Sequence, residues 1–103
     1  MEEVKLFEDE LYRGYLKYQV SGGGNSVEIY TIKIVDSMRK QGYGTKLMNK
    51  FLKEVKKKGI LSVYCFVDKE NSYARHFYSA VGFEEVKFYG DFFGNHIMYI
   101  KKL

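Results

Sequence analysis

The sequence predicts an α/β fold of the α+β type, a mixed sheet with the element order β-β-β-α-β-α-β-β. Two kinds of pattern support this. Runs rich in Val, Ile, Thr, Tyr and Phe, which are typical of strands, occur at both ends of the chain and once in the middle. Two other runs carry apolar residues at helical spacing, and each of them ends at a glycine, Gly59 or Gly82. The middle strand lies between the two helices, so a strand–helix–strand unit forms the centre of the sheet.

Three strands open the chain. Residues 4–7 predict a short strand, and residues 11–20 and 27–35 predict two longer ones. The acidic residues 8–10 make a polar turn between the first two. Residues 21–26 contain three consecutive glycines and predict a hairpin connection.

The second half of the chain alternates helices and strands. The first helix extends to Lys58, and residues 60–67 form a continuous apolar run that predicts a strand covered on both faces. Asn71 or Ser72 can cap a second helix. A last hairpin pairs residues 84–89 with 96–102. The apolar stripes of the two helices are Leu47, Met48, Phe51, Leu52 and Val55, and then Ala74, Phe77, Tyr78 and Val81.

Composition indicates a single globular domain over residues 1–103. Hydrophobic residues make up 46% of the chain and charged residues 29%, which is not a disordered composition. The sequence has no apolar run near the roughly 20 residues that span a membrane, and its acidic start is unlike a signal peptide. Because Cys65 is the one cysteine, the chain cannot form an internal disulfide, and this is typical of proteins in the reducing cytoplasm. A zinc site is not expected either, since His76 and His96 are the only histidines that could join Cys65 as ligands.

The net charge of +4 raises the question of a nucleic-acid partner. The lysines concentrate on the first helix, toward its C-terminal end, where cations complement the helix dipole. A solvated helix face is the simplest explanation for these lysines. Attraction of an anionic cofactor or of an acidic partner is the alternative. A small basic nucleic-acid-binding protein is therefore the third functional class considered, after an enzyme and a binding module.

Residues 39–47 read R-K-Q-G-Y-G-T-K-L between a strand and a helix, which predicts a phosphate-binding loop. Glycines let the backbone approach a ligand closely, and free N–H groups at a helix N-terminus attract anions. The nucleotide patterns G-x-x-x-x-G-K-[ST] and G-x-G-x-x-G are both absent here. The pattern that fits is [Q/R]-x-x-G-x-[G/A], through Arg39, Gly42 and Gly44.

A second motif lies on the second helix. Asn71, Ala74, Tyr78, Gly82 and Phe83 read N-x-x-A-x-x-x-Y-x-x-x-G-F. Together the two motifs resemble those of the GNAT superfamily of N-acetyltransferases, and the resemblance covers residues 11–103. The first strand and first two helices usual in that superfamily have no counterpart, so the acceptor half is expected to be incomplete. A homodimer is one way to cover the open side.

The resemblance implies transfer of acetyl from acetyl-coenzyme A (acetyl-CoA) to a primary amine in a ternary complex. Tyr78 would act as general acid toward the departing sulfur, and Glu28 as the base, directly or through water. Coenzyme A would be bound by residues on the third strand, the loop and the second helix: Ile34, Val35, Arg39, Lys40, Gln41, Gly42, Tyr43, Gly44, Thr45, Asn71 and Tyr78. Tyr89, Phe92 and Phe93 would line the acceptor pocket.

Each of these roles has a structural alternative. Tyr78 could be a core aromatic, Asn71 only a helix cap, and Glu28 a solvent-facing carboxylate. Cys65, in the middle of an apolar strand, is expected to be a small buried side chain and not a nucleophile. At the level of the whole protein, the alternative to an enzyme is a catalytically silent GNAT fold that binds coenzyme A or a protein partner.

Overall fold

The computed structural model describes residues 2–8, 10–35, 42–86 and 94–103. The predicted element order is confirmed, with a short 3-10 turn added in the first hairpin. The elements are β1 (Glu2–Glu8), β2 (Leu11–Ser21), a 3-10 turn (Gly22–Gly24), β3 (Ser26–Ile34), α1 (Tyr43–Lys57), β4 (Ser62–Asp68), α2 (Ser72–Ala80), β5 (Glu84–Val86) and β6 (His96–Lys102).

The described strands form one sheet in the order β1-β2-β3-β4-β6-β5. β3 and β4 are its parallel neighbours, and they pair only from Ser26 with Ser62 to Glu28 with Tyr64. Beyond Glu28, β3 stays paired with β2, while β4 stays paired with β6 as far as Asp68. The two strands therefore separate in the middle of the sheet, and we call this opening the fork.

A bulge in β3 accompanies the fork. Lys17 of β2 pairs with Thr31, whereas the next residue, Tyr18, pairs with Ile29, so Tyr30 is the extra residue on β3. A bulge bends its strand and increases the local twist. Because Tyr30 follows soon after Glu28, the bulge bends β3 at the point where it separates from β4.

Both helices contribute to one core on one side of the sheet. Both crossovers move across the sheet in the same direction, and the right-handed rule then places α1 and α2 on the same face. We call this the helix face; the sheet residues Leu16, Val27 and Val63 on it are fully buried. The predicted stripe of α1 packs against them through Leu47, Met48, Phe51 and Val55, which are also fully buried.

The opposite side of the sheet, which we call the strand face, is only partly covered by the described residues. Along β4 the burial alternates, with Val63, Cys65 and Val67 buried and Tyr64 and Phe66 half-buried. The expectation that residues 60–67 form a strand covered on both faces is therefore wrong. An apolar run predicts a strand but not its covering layers, which depend on where the two helices pack.

The helix ends follow the glycine and capping signals. Gly59, after α1, and Gly82, after α2, have φ of 84° and 95°, in the left-handed region that favours glycine at a C′ position. Asn71 caps α2, since its Oδ1 accepts a hydrogen bond from the Ala74 N–H at 3.1 Å. Within the described part of the chain, no helix is long and apolar enough to cross a membrane.

Candidate active site

The fork and both helix N-termini lie at the same edge of the sheet. α1 follows β3 and α2 follows β4, and the carboxyl ends of parallel strands are where open sheets bind ligands. Of the predicted loop, Gly42, Tyr43, Gly44 and Thr45 are described, whereas Arg39, Lys40 and Gln41 lie outside the described residues. The described part of the candidate site therefore consists of the first turn of α1 and the fork.

The two described glycines of the loop serve different purposes. Gly42 is the N-cap of α1 and has φ of 80°, while a Cβ added there would meet nothing within 4 Å, so its conformation is what favours glycine. At Gly44 the reason is space, since a Cβ would lie 3.2 Å from Cε1 of Phe77 on α2. The first turn of α1 consequently approaches α2 closely. Backbone conformation thus favours glycine at position 42, and close packing against α2 favours it at position 44.

The first turn of α1 has the properties of an anion site. The first N–H groups of a helix lack partners inside the helix and carry the positive end of its dipole. Here the intrahelical bonds begin with the Lys46 N–H donating to the Gly42 carbonyl, and the first turn has no acidic residue. The side chain of Thr45 is exposed beside this turn.

Arg13 is a residue of this site that the sequence patterns did not indicate. It lies on β2, is only 7% exposed, and places its guanidinium carbon 5.0 Å from the centroid of the Tyr43 ring. The Nζ of Lys46 lies 5.3 Å from the same ring. Two cations therefore flank the first residue of α1. No sequence signal links Arg13 to Tyr43, because only the pairing of β2 with β3 brings them together.

The end of β3 offers one set of backbone groups to the fork. The Val35 N–H donates to the Arg13 carbonyl at 2.9 Å and so faces β2. Backbone groups alternate in direction along a paired strand, so the N–H and C=O of Ile34 face the side where β4 has separated. Of the two predicted residues, Ile34 therefore directs its backbone N–H and C=O into the fork, whereas the N–H of Val35 is bonded to β2.

Tyr78 reaches the base of the fork from the helix face. It is 6% exposed, and its ring packs against Phe83 at 5.3 Å and Tyr99 at 6.1 Å between centroids. Its hydroxyl lies beside the thiol of Cys65, the first β4 residue beyond the pair of Glu28 with Tyr64. The core-aromatic interpretation of the ring therefore holds, and the hydroxyl still lies where β3 and β4 separate.

Burial keeps this hydroxyl and this thiol neutral. Desolvation raises the pKa of Tyr78 well above its ordinary value of 10.0. Burial likewise raises the pKa of Cys65 to about 12. Cys65 is buried, as predicted, and a thiol with such a pKa is a poor nucleophile near neutral pH. Tyr78 is a protonated hydrogen-bond donor under the same conditions.

Glu28 lies on the other side of the sheet from Tyr78. Its neighbours Val27 and Ile29 are buried on the helix face, so the half-buried Glu28 side chain points to the strand face. It belongs to the last paired residues before the fork, opposite Tyr64. A molecule in the fork would therefore have a phenol on one face and a carboxylate on the other.

The remaining predicted residues divide into two groups. Asn71 is engaged as the cap of α2 through Oδ1, which confirms the capping interpretation and leaves its role toward a ligand untested. The expected acceptor-pocket residues Tyr89, Phe92 and Phe93 lie outside the described residues.

Comparison with known proteins identifies the architecture. Residues 6–83 match the model of the acetyltransferase (GNAT) family. The fold is shared with the PaiA N-acetyltransferase of Thermoplasma acidophilum, solved with coenzyme A, at 25% identity and a TM-score of 0.83 over 98% of this chain and 60% of that one. An acetyltransferase from Thermus thermophilus aligns at 22% identity and a TM-score of 0.81, covering 98% of this chain and 63% of that one.

A third solved relative is the ribosomal-protein-S18-alanine N-acetyltransferase of Escherichia coli, at 20% identity and a TM-score of 0.75, covering 96% of this chain and 65% of that one. This chain thus spans slightly less than two thirds of the length of these three proteins. A comparison with curated protein sequences gives no match.

Proposed function

Because the chain belongs to the acetyltransferase (GNAT) family, we propose that it binds acetyl-CoA and transfers the acetyl group directly to a primary amine. The observation that carries the proposal is the fork, which has the first turn of α1 at its open end, Tyr78 on one face and Glu28 on the other. The Thermoplasma relative solved with coenzyme A supports the choice of cofactor.

The first turn of α1 suits the pyrophosphate of the cofactor. Its unpaired N–H groups and the nearby cations Arg13 and Lys46 all favour negative charge. At Gly44 a Cβ would lie 3.2 Å from Cε1 of Phe77, so a larger side chain would displace that ring. The open backbone groups of Ile34 suit the amide-containing arm. Bound there, acetyl-CoA supplies an activated acetyl thioester.

Two side chains of the fork can move the protons. An amine with a pKa of about 10.4 is almost entirely an ammonium ion at neutral pH, so it must lose a proton before it can attack. In the proposed reaction, Glu28 accepts that proton, directly or through water. Tyr78 remains protonated because of its burial, and its hydroxyl can donate to the departing sulfur.

Titration with acetyl-CoA by calorimetry, using two matched glycine variants, tests the cofactor site. Gly42 and Gly59 have φ of 80° and 84°, and a Cβ at either one meets nothing within 4 Å. Alanine at each position therefore introduces the same backbone strain, at opposite ends of α1. We expect Gly42→Ala to weaken binding at least about tenfold and Gly59→Ala to leave it unchanged, since Gly42 alone adjoins the unpaired N–H groups.

Two results would contradict the cofactor assignment. Absence of binding to the unmodified chain would reject both the enzyme and the silent coenzyme-binding alternative. Equal losses in Gly42→Ala and Gly59→Ala would attribute any effect to helix strain and not to the loop.

Release of coenzyme A with a panel of amines tests the chemistry. A lysine side chain, a protein N-terminus, a polyamine and an aminoglycoside are the acceptor classes to include. We expect Tyr78→Phe and Glu28→Gln each to lower kcat about 10²–10⁴-fold, as removal of a general acid or base does. The Glu28→Gln loss should shrink at high pH, where the free amine is already neutral.

The same assay separates transfer from binding alone. If the chain binds acetyl-CoA but acetylates none of these amines above the uncatalysed rate, the silent GNAT fold is the better description. Sedimentation of the chain with and without coenzyme A tests the homodimer that the sequence suggested as a cover for the open side.

A further inference from the structure

Resting on the function proposed above, we infer that Tyr64 and Phe66 form, with Glu28, an acceptor subsite that selects a positively charged group. We call the two rings the aromatic corner. These residues lie on the strand face of the fork, where the acceptor would meet the thioester opposite Tyr78.

The position of the Tyr64 ring follows from a hydrogen bond across the sheet. Tyr64 stands on β4 opposite Glu28 of β3, and its hydroxyl lies 2.9 Å from Oγ of Ser21 on β2. Because β3 lies between β4 and β2, the ring must cross β3 on the strand face. The hydroxyls of Ser26 and Ser62 pair at 2.9 Å on the side away from the fork. The ring therefore lies beside Glu28, and the fork begins on the other side of Glu28.

Phe66 supplies the second ring. It lies two residues further along β4, beyond the point where β3 has separated, and it is half-buried. Its ring meets Tyr64 edge to face, with centroids 5.9 Å apart and an interplanar angle of 82°. The two rings thus meet nearly at right angles where β4 has separated from β3. Aromatic faces attract cations through their quadrupole, most strongly where water is excluded.

Among the described residues, no charged side chain stands beside Glu28 in the strand register. Its register neighbours, Gln19 on β2 and Tyr64 on β4, carry no charge. Lys17, two residues before Gln19, places its Nζ 5.4 Å from the Tyr15 ring centroid, which directs it along β2 away from Glu28. A half-buried carboxylate beside two rings recognises an ammonium group by charge and by cation–π attraction together.

Binding of choline, compared with 3,3-dimethylbutan-1-ol, tests this inference. The two molecules have the same shape, and only choline carries a positive charge, which its quaternary nitrogen cannot lose. With the chain saturated by coenzyme A, we expect NMR titration to show choline binding at least about fivefold tighter. In the amine assay, choline should compete with the acceptor and not with acetyl-CoA.

Substitutions in the two rings show which residues produce the preference for choline. Tyr64→Leu and Phe66→Leu should each remove most of the choline preference, while leaving the affinity for coenzyme A unchanged, which also shows that they fold. Tyr64→Phe keeps the ring but loses the Ser21 hydrogen bond and should give an intermediate preference. Tyr73→Leu is the control, because Tyr73 is a 68% exposed aromatic residue on α2, away from the strand face.

Two failures can be told apart. If coenzyme A does not bind, the proposed function itself is wrong. If coenzyme A binds, and choline and its neutral analogue bind equally well or neither binds, the function stands and the cationic subsite is rejected. A preference for choline that survives in both leucine variants would also reject the aromatic corner.

Discussion

The helix face and the strand face are built from the same strands, yet they are packed in opposite ways. On the helix face, Leu16, Val27 and Val63 are fully buried beneath α1 and α2. On the strand face, Tyr64 and Phe66 are half-buried, and serine hydroxyls form the hydrogen bonds. Adjacent residues of one strand thus belong to a closed core and to a partly open surface.

This difference separates stability from function along each strand. Side chains of the helix face exclude water and hold the sheet to its helices, so their loss leaves a cavity. On the strand face, Glu28, Tyr64 and Phe66 lie at the fork and are only half-buried. Tyr78 and Cys65 are the exception, because they belong to the core and also lie at the base of the fork.

The largest expected effect comes from comparing two phenylalanines, one on each side of the sheet. Phe51 of α1 is fully buried on the helix face, whereas Phe66 is half-buried on the strand face. We expect Phe51→Ala to lower the free energy of unfolding by about 3–5 kcal/mol, because it leaves a cavity in a close-packed core. Phe66→Ala should cost roughly 1–2 kcal/mol, since part of its ring already faces solvent. Urea denaturation measures both.

Equal losses of stability from the two substitutions would contradict the comparison. Such a result would mean that the strand face is covered as fully as the helix face. A loss of amine transfer in Phe66→Ala, with little loss of stability, would sharpen the assignment of this face to the acceptor.

A second prediction uses the buried thiol at the base of the fork. In the unfolded chain Cys65 loses its proton above its ordinary pKa of 9.0, whereas the folded pKa is raised to about 12. Below pH 9 the thiol is protonated in both the folded and the unfolded chain, so it does not lower the free energy of unfolding. Above pH 9 only the unfolded chain releases the proton, and the free energy of unfolding falls as the pH rises. Between pH 8 and 10.5 we expect a loss of about 2 kcal/mol from this group.

Cys65→Ala isolates that contribution from the other groups that titrate at high pH. The variant should be less stable at pH 8 but should lose about 2 kcal/mol less than the unmodified chain by pH 10.5. If the stability of the two proteins falls equally between pH 8 and 10.5, folding does not raise the pKa of the thiol. Slow alkylation of the folded chain by iodoacetamide at pH 8 is the corresponding chemical measurement.

The smallest effect concerns Asn71, which has one confirmed role and one proposed role. Loss of its hydrogen bond to the Ala74 N–H in Asn71→Ala should cost about 1 kcal/mol, and Asn71→Ser should restore most of it, since serine also caps helices well. Thermal unfolding measures both variants. If Asn71→Ser regains stability but still binds coenzyme A weakly, the amide contacts the cofactor; if it regains both, the residue is only a cap.

Short-range patterns predicted most of the elements because their signals are local. The apolar stripe of α1, a cap at Asn71 or Ser72, and the glycines at 59 and 82 each depend on a few neighbouring residues. The structure confirms the stripe and the glycines, and it shows that Asn71 is the cap. The covering of β4 was not predictable, because a run of Val, Tyr, Cys and Phe is compatible with either one or two covered faces.

The candidate site was predictable in its motif residues and not in its surroundings. Gly42, Gly44 and Tyr78 could be identified because their residue types and spacing depend on backbone conformation and on a helical stripe. Arg13 and Tyr64 could not be identified. Their contacts with Tyr43 and Ser21 join residues that are distant in the chain.

By itself, the sequence determined the order of the elements, the family and the loop at the start of α1, because each depends on local spacing. The tertiary structure alone decided three further features. These are the separation of β3 from β4 after Glu28, the placement of Tyr78 and Glu28 on opposite faces, and the aromatic corner beside Glu28. All three depend on strand register, which is set only when distant segments pair and bury one face of the sheet together.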